Sequence, residues 1–315
     1  MPESAVERFH AWRRALPRPP RLVHRTVTVR GLAFAVHETP VTDGNRDATP
    51  LCCVNGGLLF DHRLLWPALS PLAARRRLVF FDQRGRGRSQ PPPGARAARI
   101  EHDAGDVRAL REALGLDRWD LLGHSWGGGI AMLAAAQDRD ATRRLVLVDP
   151  VGTTAAPWLP ALTDRALPRL SAEQGARLRA AHERTRPGAP DAADPAALSE
   201  YAAAIYPAWF HAPALGALFT PPRSTSVTGA AVSARLRADG YDWRDRVAGL
   251  GVPTLVLHGD ADLIPLDVAR ETVAVLGPET TSLVVVPDAG HNPFWEQPGI
   301  LFPAIERFLD DPLAP

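Results

Sequence analysis

The sequence predicts an α/β architecture, a mostly parallel central sheet flanked by helices, with a helical segment inserted after the sixth strand. Three observations lead there. Short apolar runs at residues 51–54, 78–81, 119–122, 145–148, 254–257 and 283–286 alternate with helical patterns, which implies βαβ units and parallel pairing. The runs are nearly continuous in Val, Leu and Phe, as strands buried on both faces are. Between residues 151 and 249 the strand runs stop, and Ala, Pro, Leu and Arg dominate before the strands resume.

Taken in order, the chain opens with an amphipathic stretch. Residues 23–36 then alternate as a hairpin does, with Arg30-Gly31 as its turn. A polar loop precedes the first buried run at 51–54. The triplet Pro91-Pro92-Pro93 reads as a stiff connector. Inside the inserted segment, 171–184 and 198–205 carry helical periodicity, and 186–195, rich in Pro, Ala, Asp and Gly, reads as a loop. The organisation expected is a core in two parts, residues 1–150 and 249–315, with a helical lid over 151–248.

The bulk numbers set limits. With 315 residues, 45% apolar and 23% charged, the chain is long enough to bury a sizeable core and has ordinary globular composition. Its net charge of +1 is carried without a single lysine. That is compositional bias rather than a nucleic-acid surface, which needs basic residues clustered on one face. Cys52 and Cys53 are adjacent in a strand and point to opposite faces, so neither a disulfide nor a metal site is expected. Residues 1–20 hold Glu3, Glu7, Arg8, Arg13 and Arg14 and no apolar core of signal-peptide length. No run is long enough to span a bilayer. A cytoplasmic protein acting on a small molecule is expected, without cofactor, metal, nucleic-acid or membrane partner.

The chemistry concentrates at strand ends. Gly123-His124-Ser125-Trp126-Gly127-Gly128-Gly129 follows the run 119–122 and precedes a helical stretch. A sharp strand-to-helix turn crowds the backbone, so small residues are needed two before and two after the serine it exposes. A serine hydroxyl needs a base, and the base an orienting acid. After such an elbow the acid and then the histidine follow in chain order. Asp262 lies in His258-Gly259-Asp260-Ala261-Asp262 after one strand, and His291 in Asp288-Ala289-Gly290-His291-Asn292 after the last. Asp262 is therefore the expected acid, with Asp149 and Asp260 as alternatives, and His291 the expected base. His124 is expected to pack under the turn, and His258 to build the acid turn.

An oxyanion needs two preorganised N–H donors. Trp126 supplies one by position. The other is expected from Asn55-Gly56-Gly57-Leu58, at Gly57, with Leu58 in reserve. Gly85-Arg86-Gly87-Arg88-Ser89 lacks the third glycine of a dinucleotide fingerprint and runs into prolines. It is not a phosphate loop, and its arginines are either structural or solvated.

Phe81-Asp82-Gln83-Arg84-Gly85-Arg86-Gly87-Arg88-Ser89, Gly123-His124-Ser125-Trp126-Gly127-Gly128 and Asn55-Gly56-Gly57 together resemble the proline iminopeptidase group (peptidase family S33-like) of the α/β-hydrolase superfamily. The resemblance covers about two thirds of the chain, its core. It implies a serine hydrolase working through an acyl-enzyme. Two departures bear on substrate. Asn55 and Leu58-Leu59 stand where that group has the His and Pro-Gly of H-G-G-P-G. In Ile205-Tyr206-Pro207-Ala208-Trp209-Phe210, Tyr206 falls where the group's lid has an amine-binding glutamate. Tyr206, Trp209 and Phe210 either line an apolar pocket or form the lid's own core. Cleavage of an ester, lactone or amide is expected first, aminopeptidase action second, and slow-turnover ligand reception third. Epoxide hydrolases and haloalkane dehalogenases of this fold use an aspartate where Ser125 stands.

Overall fold

Eight strands form one sheet, and the computed structural model describes it within residues 3–94 and 97–311. The outermost residues of the two expected core parts, 1–2 and 312–315, lie outside the described residues, as do 95–96. Helix α1 (Ala5–Ala15) starts at a capping box between Ser4 and Glu7. The hairpin β1 (Val23–Val29) and β2 (Leu32–Glu38) turns at Arg30 and Gly31, with φ of 48° and 80°. There follow β3 (Leu51–Val54), β4 (Leu78–Phe81), α2 (Ile100–Ala113), β5 (Trp119–His124), α3 (Trp126–Gln137) and β6 (Thr142–Val148). Between β6 and the next strand lie α4 (Leu162–Ala166), α5 (Ala172–Thr185), α6 (Pro195–Ile205), α7 (Pro213–Gly216), α8 (Val227–Asp239) and α9 (Arg244–Val247). Then β7 (Thr254–Gly259), α10 (Leu266–Leu276), β8 (Thr281–Val286), α11 (Pro293–Glu296) and α12 (Pro298–Asp310) complete the described chain.

The strand order is β1-β2-β4-β3-β5-β6-β7-β8. β1 with β2 and β2 with β4 are antiparallel, and every other neighbour pair is parallel. Alternate residues of each central strand enter opposite cores. Cys52, Val54, Val79, Phe81, Leu121, Leu145, Leu147 and Val256 pack with α2, α3 and α10 on one face. Leu51, Cys53, Leu78, Phe80, Leu122, Val146, Val148 and Leu255 pack with α12 on the other. The period of two in the side chains thus explains why the runs lack polar alternation: both faces are covered. The two cysteines are free, buried and divided between these cores.

The parallel strands β3 to β8 end along one edge, where ligands bind in open α/β sheets. Helix α5 begins at a capping box of Ser171 and Gln174, and α6 at an Asp194 cap followed by Pro195, so the two expected helices lie where periodicity puts them. Helix α3 begins at Trp126, four residues before the helical pattern at Ile130 becomes readable. Three consecutive glycines weaken the local helix signal, and burial of Gly127, Gly128 and Gly129 overrides it.

Candidate active site

The turn between β5 and α3 holds Ser125 at φ 58° and ψ −124°, a region that L-residues avoid. Close packing imposes this conformation. A Cβ on Gly123 would lie 2.4 Å from the Gly127 carbonyl oxygen, and one on Gly127 would lie 2.0 Å from that of Val54. A Cβ on Gly56 would lie 2.6 Å from the Ser125 Cβ. The small residues the elbow needs are thus required by β3 and its following loop pressing against the turn. Strained backbone of this kind persists only where its surroundings over-determine it.

The loop after β7 carries Asp262, and the loop after β8 carries His291. The His291 Nδ1 lies 2.8 Å from Asp262 Oδ2, and Asp262 Oδ1 accepts the Ile264 N–H at 3.1 Å. Burial alone would raise the Asp262 carboxyl. The charge and hydrogen bond of His291, with help from His258 and the Ile264 N–H, outweigh it and hold the group below the ordinary carboxylate value. His258 donates from Nε2 to the Ile264 carbonyl at 2.9 Å and so builds this turn. His124 donates from Nε2 to the His291 carbonyl at 2.8 Å. Burial pushes it down to about 3, so it stays neutral and holds the histidine loop from beneath.

Asp149, the alternative acid, is fully buried at the end of β6 with φ 45°. Its Oδ1 accepts the Gly259 N–H at 2.8 Å. Burial first, and then the negative charge of Asp262, push it well above the ordinary carboxylate range. The Asp149 Oδ2 is buried with no hydrogen-bond partner, and a proton on Asp149 relieves the repulsion from Asp262. Two neighbouring carboxylates cannot both ionise cheaply in such a site, and the one facing the imidazole keeps the charge. Asp260, two residues nearer the strand, instead accepts the Ala289 N–H at 3.4 Å.

The loop after β3 is pinned from several sides. Asn55 Nδ2 donates to the carbonyls of Gly56 and Phe60 at 3.1 and 3.2 Å, and Gln83 Nε2 to the Asn55 carbonyl at 2.8 Å. Arg86 Nε donates to the Leu58 carbonyl at 2.7 Å. Gly57 and Leu58 both have positive φ, 73° and 43°. The Arg86 side chain is wholly buried and pairs with Asp103 through two bonds of 2.9 and 3.0 Å, while Arg84 pairs with Asp106. Of the two readings open for the arginines of residues 85–89, the structural one holds for Arg86, while the exposed Arg88 fits the solvated one. Arg86 ties the glycine loop to α2.

Gly57, Leu58, Ser125, Trp126 and His291 all line one cavity of about 530 Å³. Its other walls come from the segment between β6 and β7, including Trp158, Leu159, Leu198, Tyr201, Ile205, Tyr206 and Trp209. The Trp209 ring lies 4.3 Å from that of His291, and the Trp209 carbonyl accepts the His291 N–H at 2.6 Å. Phe210 is not among the lining residues. It is fully buried, stacked on Phe219 at 5.3 Å and edge-on to Tyr206, because its backbone turns it away from Trp209 and into the packing behind the wall. Of the three aromatic residues, two therefore face the cavity and one belongs to the core. Arg169 crosses from the same segment to the acid turn and donates to the Ala261 carbonyl at 2.5 Å.

Glu296 fastens the histidine loop. Its carboxylate accepts the Gly290 N–H at 2.7 Å and the Ala212 N–H at 3.2 Å. Burial raises it to about 7 against the lowering effect of these bonds. A carboxyl whose folded value is raised contributes stability below its unfolded value, lost as pH rises through the folded one. Between about pH 4.5 and 7 the wild type is expected to lose on the order of 3 kcal/mol from this group. Thermal unfolding of Glu296→Gln should show a flatter dependence on pH across that window than the wild type.

A family model described as the alpha/beta hydrolase fold matches residues 49–298, and the chain belongs to that family. Its curated relatives include proline iminopeptidases, matched over a short segment. The proline iminopeptidase of Xanthomonas citri is 42% identical over 74 residues, 24% of this chain and 24% of that enzyme. The chain thus spans about a quarter of the length of the first curated relatives it matches. The 2-hydroxymuconate semialdehyde hydrolase of Pseudomonas putida is 31% identical over 236 residues, 70% of this chain and 72% of that one. The crystal structure of a proline iminopeptidase-related protein from Thermus thermophilus matches with a TM-score of 0.64 at 25% identity, over 92% of this chain and 97% of that one. Among the described residues no helix is long and apolar enough to cross a membrane.

Proposed function

We propose that this chain is a serine hydrolase that cleaves an ester, lactone or amide bond of a small, largely apolar substrate through an acyl-enzyme. Ser125 Oγ attacks the carbonyl carbon while His291 Nε2 takes its proton. Asp262, bound to Nδ1, orients the imidazole and stabilises its positive charge. The N–H groups of Gly57 and Trp126 hold the oxyanion. His291 then returns the proton to the leaving group, and water, activated by the same imidazole, releases the acid. Helices of residues 151–248 act as the lid over this reaction.

The observation that carries the reading is a conjunction: the 2.8 Å contact of His291 with Asp262, and a cavity lined by both His291 and the strained Ser125. The largely aliphatic and aromatic wall supports an apolar substrate body. An N-terminal amine would need a carboxylate facing the nucleophile. The carboxylate along this wall is the exposed Asp239 at the end of α8. At the family's glutamate position stands Tyr206, whose hydroxyl burial raises to about 12, so it carries no negative charge. The aminopeptidase reading is therefore second to ester, lactone or amide cleavage.

Turnover of p-nitrophenyl butyrate tests the proposal. A hydrolase releases many equivalents of nitrophenol per chain, with an initial burst if deacylation limits. Release that halts near one equivalent would instead mark a slow-turnover receptor.

A further inference from the structure

Among the described residues, the cavity wall contains one arginine, which the proposed acyl transfer does not use. Arg237, on α8, lines the cavity together with Tyr201, Thr163 and His182. Its guanidinium carbon lies 5.1 Å from the centroid of the Tyr201 ring. The Tyr201 hydroxyl bonds Thr163 Oγ1 at 2.9 Å, and Thr163 in turn bonds His182 Nδ1 at 3.1 Å. Arg237 makes no hydrogen bond or ion pair among the described residues, and its Nη1 is buried with no partner. Arg235 on the same helix also has a buried nitrogen without a partner, at Nε, but it does not line the cavity. The deeply buried arginines Arg84, Arg86 and Arg76 each face an aspartate.

A guanidinium keeps its charge at any working pH and presents paired donors suited to a carboxylate. Leaving buried donors unmatched costs free energy. A cavity that tolerates this cost has a ligand to recover it. We propose that Arg237 binds a carboxylate borne by the substrate, at a point of the same cavity separate from the scissile carbonyl at Ser125. The substrate class is then an ester, lactone or amide that also carries a free acid group. A single carboxylate fits better than a phosphate, because one positive charge is present. His182, lowered by burial and then by Arg237 itself, stays neutral beside it. Tyr201 backs the guanidinium through its ring face and fixes the plane in which its donors lie.

This inference rests on the serine-hydrolase reading and is tested so that the two fail differently. The probes are p-nitrophenyl monoesters of glutaric, adipic and pimelic acids, each paired with the ester ending in methyl where the acid ends in carboxylate. Spontaneous hydrolysis is subtracted. At one or more chain lengths the wild type should favour the acid by tenfold or more in kcat/KM. Arg237→Met should lose that preference by about 10- to 100-fold while keeping the methyl-ended p-nitrophenyl ester within about threefold, which also reports that the variant is folded. Arg237→Lys should keep part of the preference. Equal rates on both members of every pair in the wild type would overturn the proposal, as would an equal loss on both in Arg237→Met. Inhibition of turnover of the methyl-ended p-nitrophenyl esters by inorganic phosphate more strongly than by hexanoate would overturn the carboxylate assignment. Failure of the underlying reading has a different signature: Ser125→Ala would retain turnover of both series, whatever their charge.

Discussion

Replacing Ser125 with alanine is expected to lower kcat for a short-chain p-nitrophenyl ester by between about 10⁴- and 10⁶-fold, the range seen when the nucleophile of a three-residue unit is removed. The loss should fall on kcat, with KM little changed, because the cavity wall that binds the substrate is untouched. Little structural change should accompany it. Ser125 is 7% exposed and its hydroxyl holds no other element in place, while the turn is set by Gly123, Gly127 and Gly56 packing around it. Unfolding temperatures of Ser125→Ala and the wild type should agree within a few degrees. A tenfold loss would mean that another group attacks.

Asp262→Asn is expected to cost about 10³- to 10⁴-fold in kcat, since an amide at this position no longer stabilises the imidazolium and favours the wrong tautomer. Asp149→Asn should cost about tenfold at most. The asymmetry follows from the two environments. Asp262 receives the His291 Nδ1–H directly, whereas Asp149 is held protonated by burial and by the charge of Asp262. Removing that charge relieves Asp149, whose carboxylate lies in a cluster with His291 in which the nearest donor atoms are within 4.8 Å of one another. Asp262→Asn should therefore retain a residual activity that Asp262→Asn/Asp149→Asn loses. Steady-state kinetics of the two single variants and the double variant check this. A larger loss in Asp149→Asn than in Asp262→Asn would exchange their roles.

Strands β3 to β7 were legible because a strand covered on both faces writes itself as an apolar run, and Leu78 to Phe81 is such a run; the β1–β2 hairpin was legible from its alternation, and β8 from an apolar run although the structure leaves it partly exposed. Ser125, Asp262 and His291 were legible for a related reason: each follows one of those runs, so topology alone brings them to one edge of the sheet. What was not legible depends on packing between distant elements. Asp149 and Asp262 both end strands, and only the position of the His291 ring separates them. Phe210 sits one residue from Trp209 in a short aromatic cluster, and nothing local tells which ring turns inward. Arg237 is one of many arginines in a chain without lysine. Its lack of a carboxylate partner emerges only when α5, α6 and α8 are assembled around the cavity. Arg86, which reads equally well as solvated, owes its role to Asp103 and the Leu58 carbonyl, each 17 or more residues away.

Labelling with a fluorophosphonate tests the central claim most directly, because the reagent captures a serine only where a base and oxyanion donors already surround it. Intact mass should rise by one adduct per chain, peptide mapping should find it on Ser125, and His291→Ala should slow its formation by orders of magnitude. An adduct on another residue, or ester turnover undiminished in a fully labelled protein, would contradict the account.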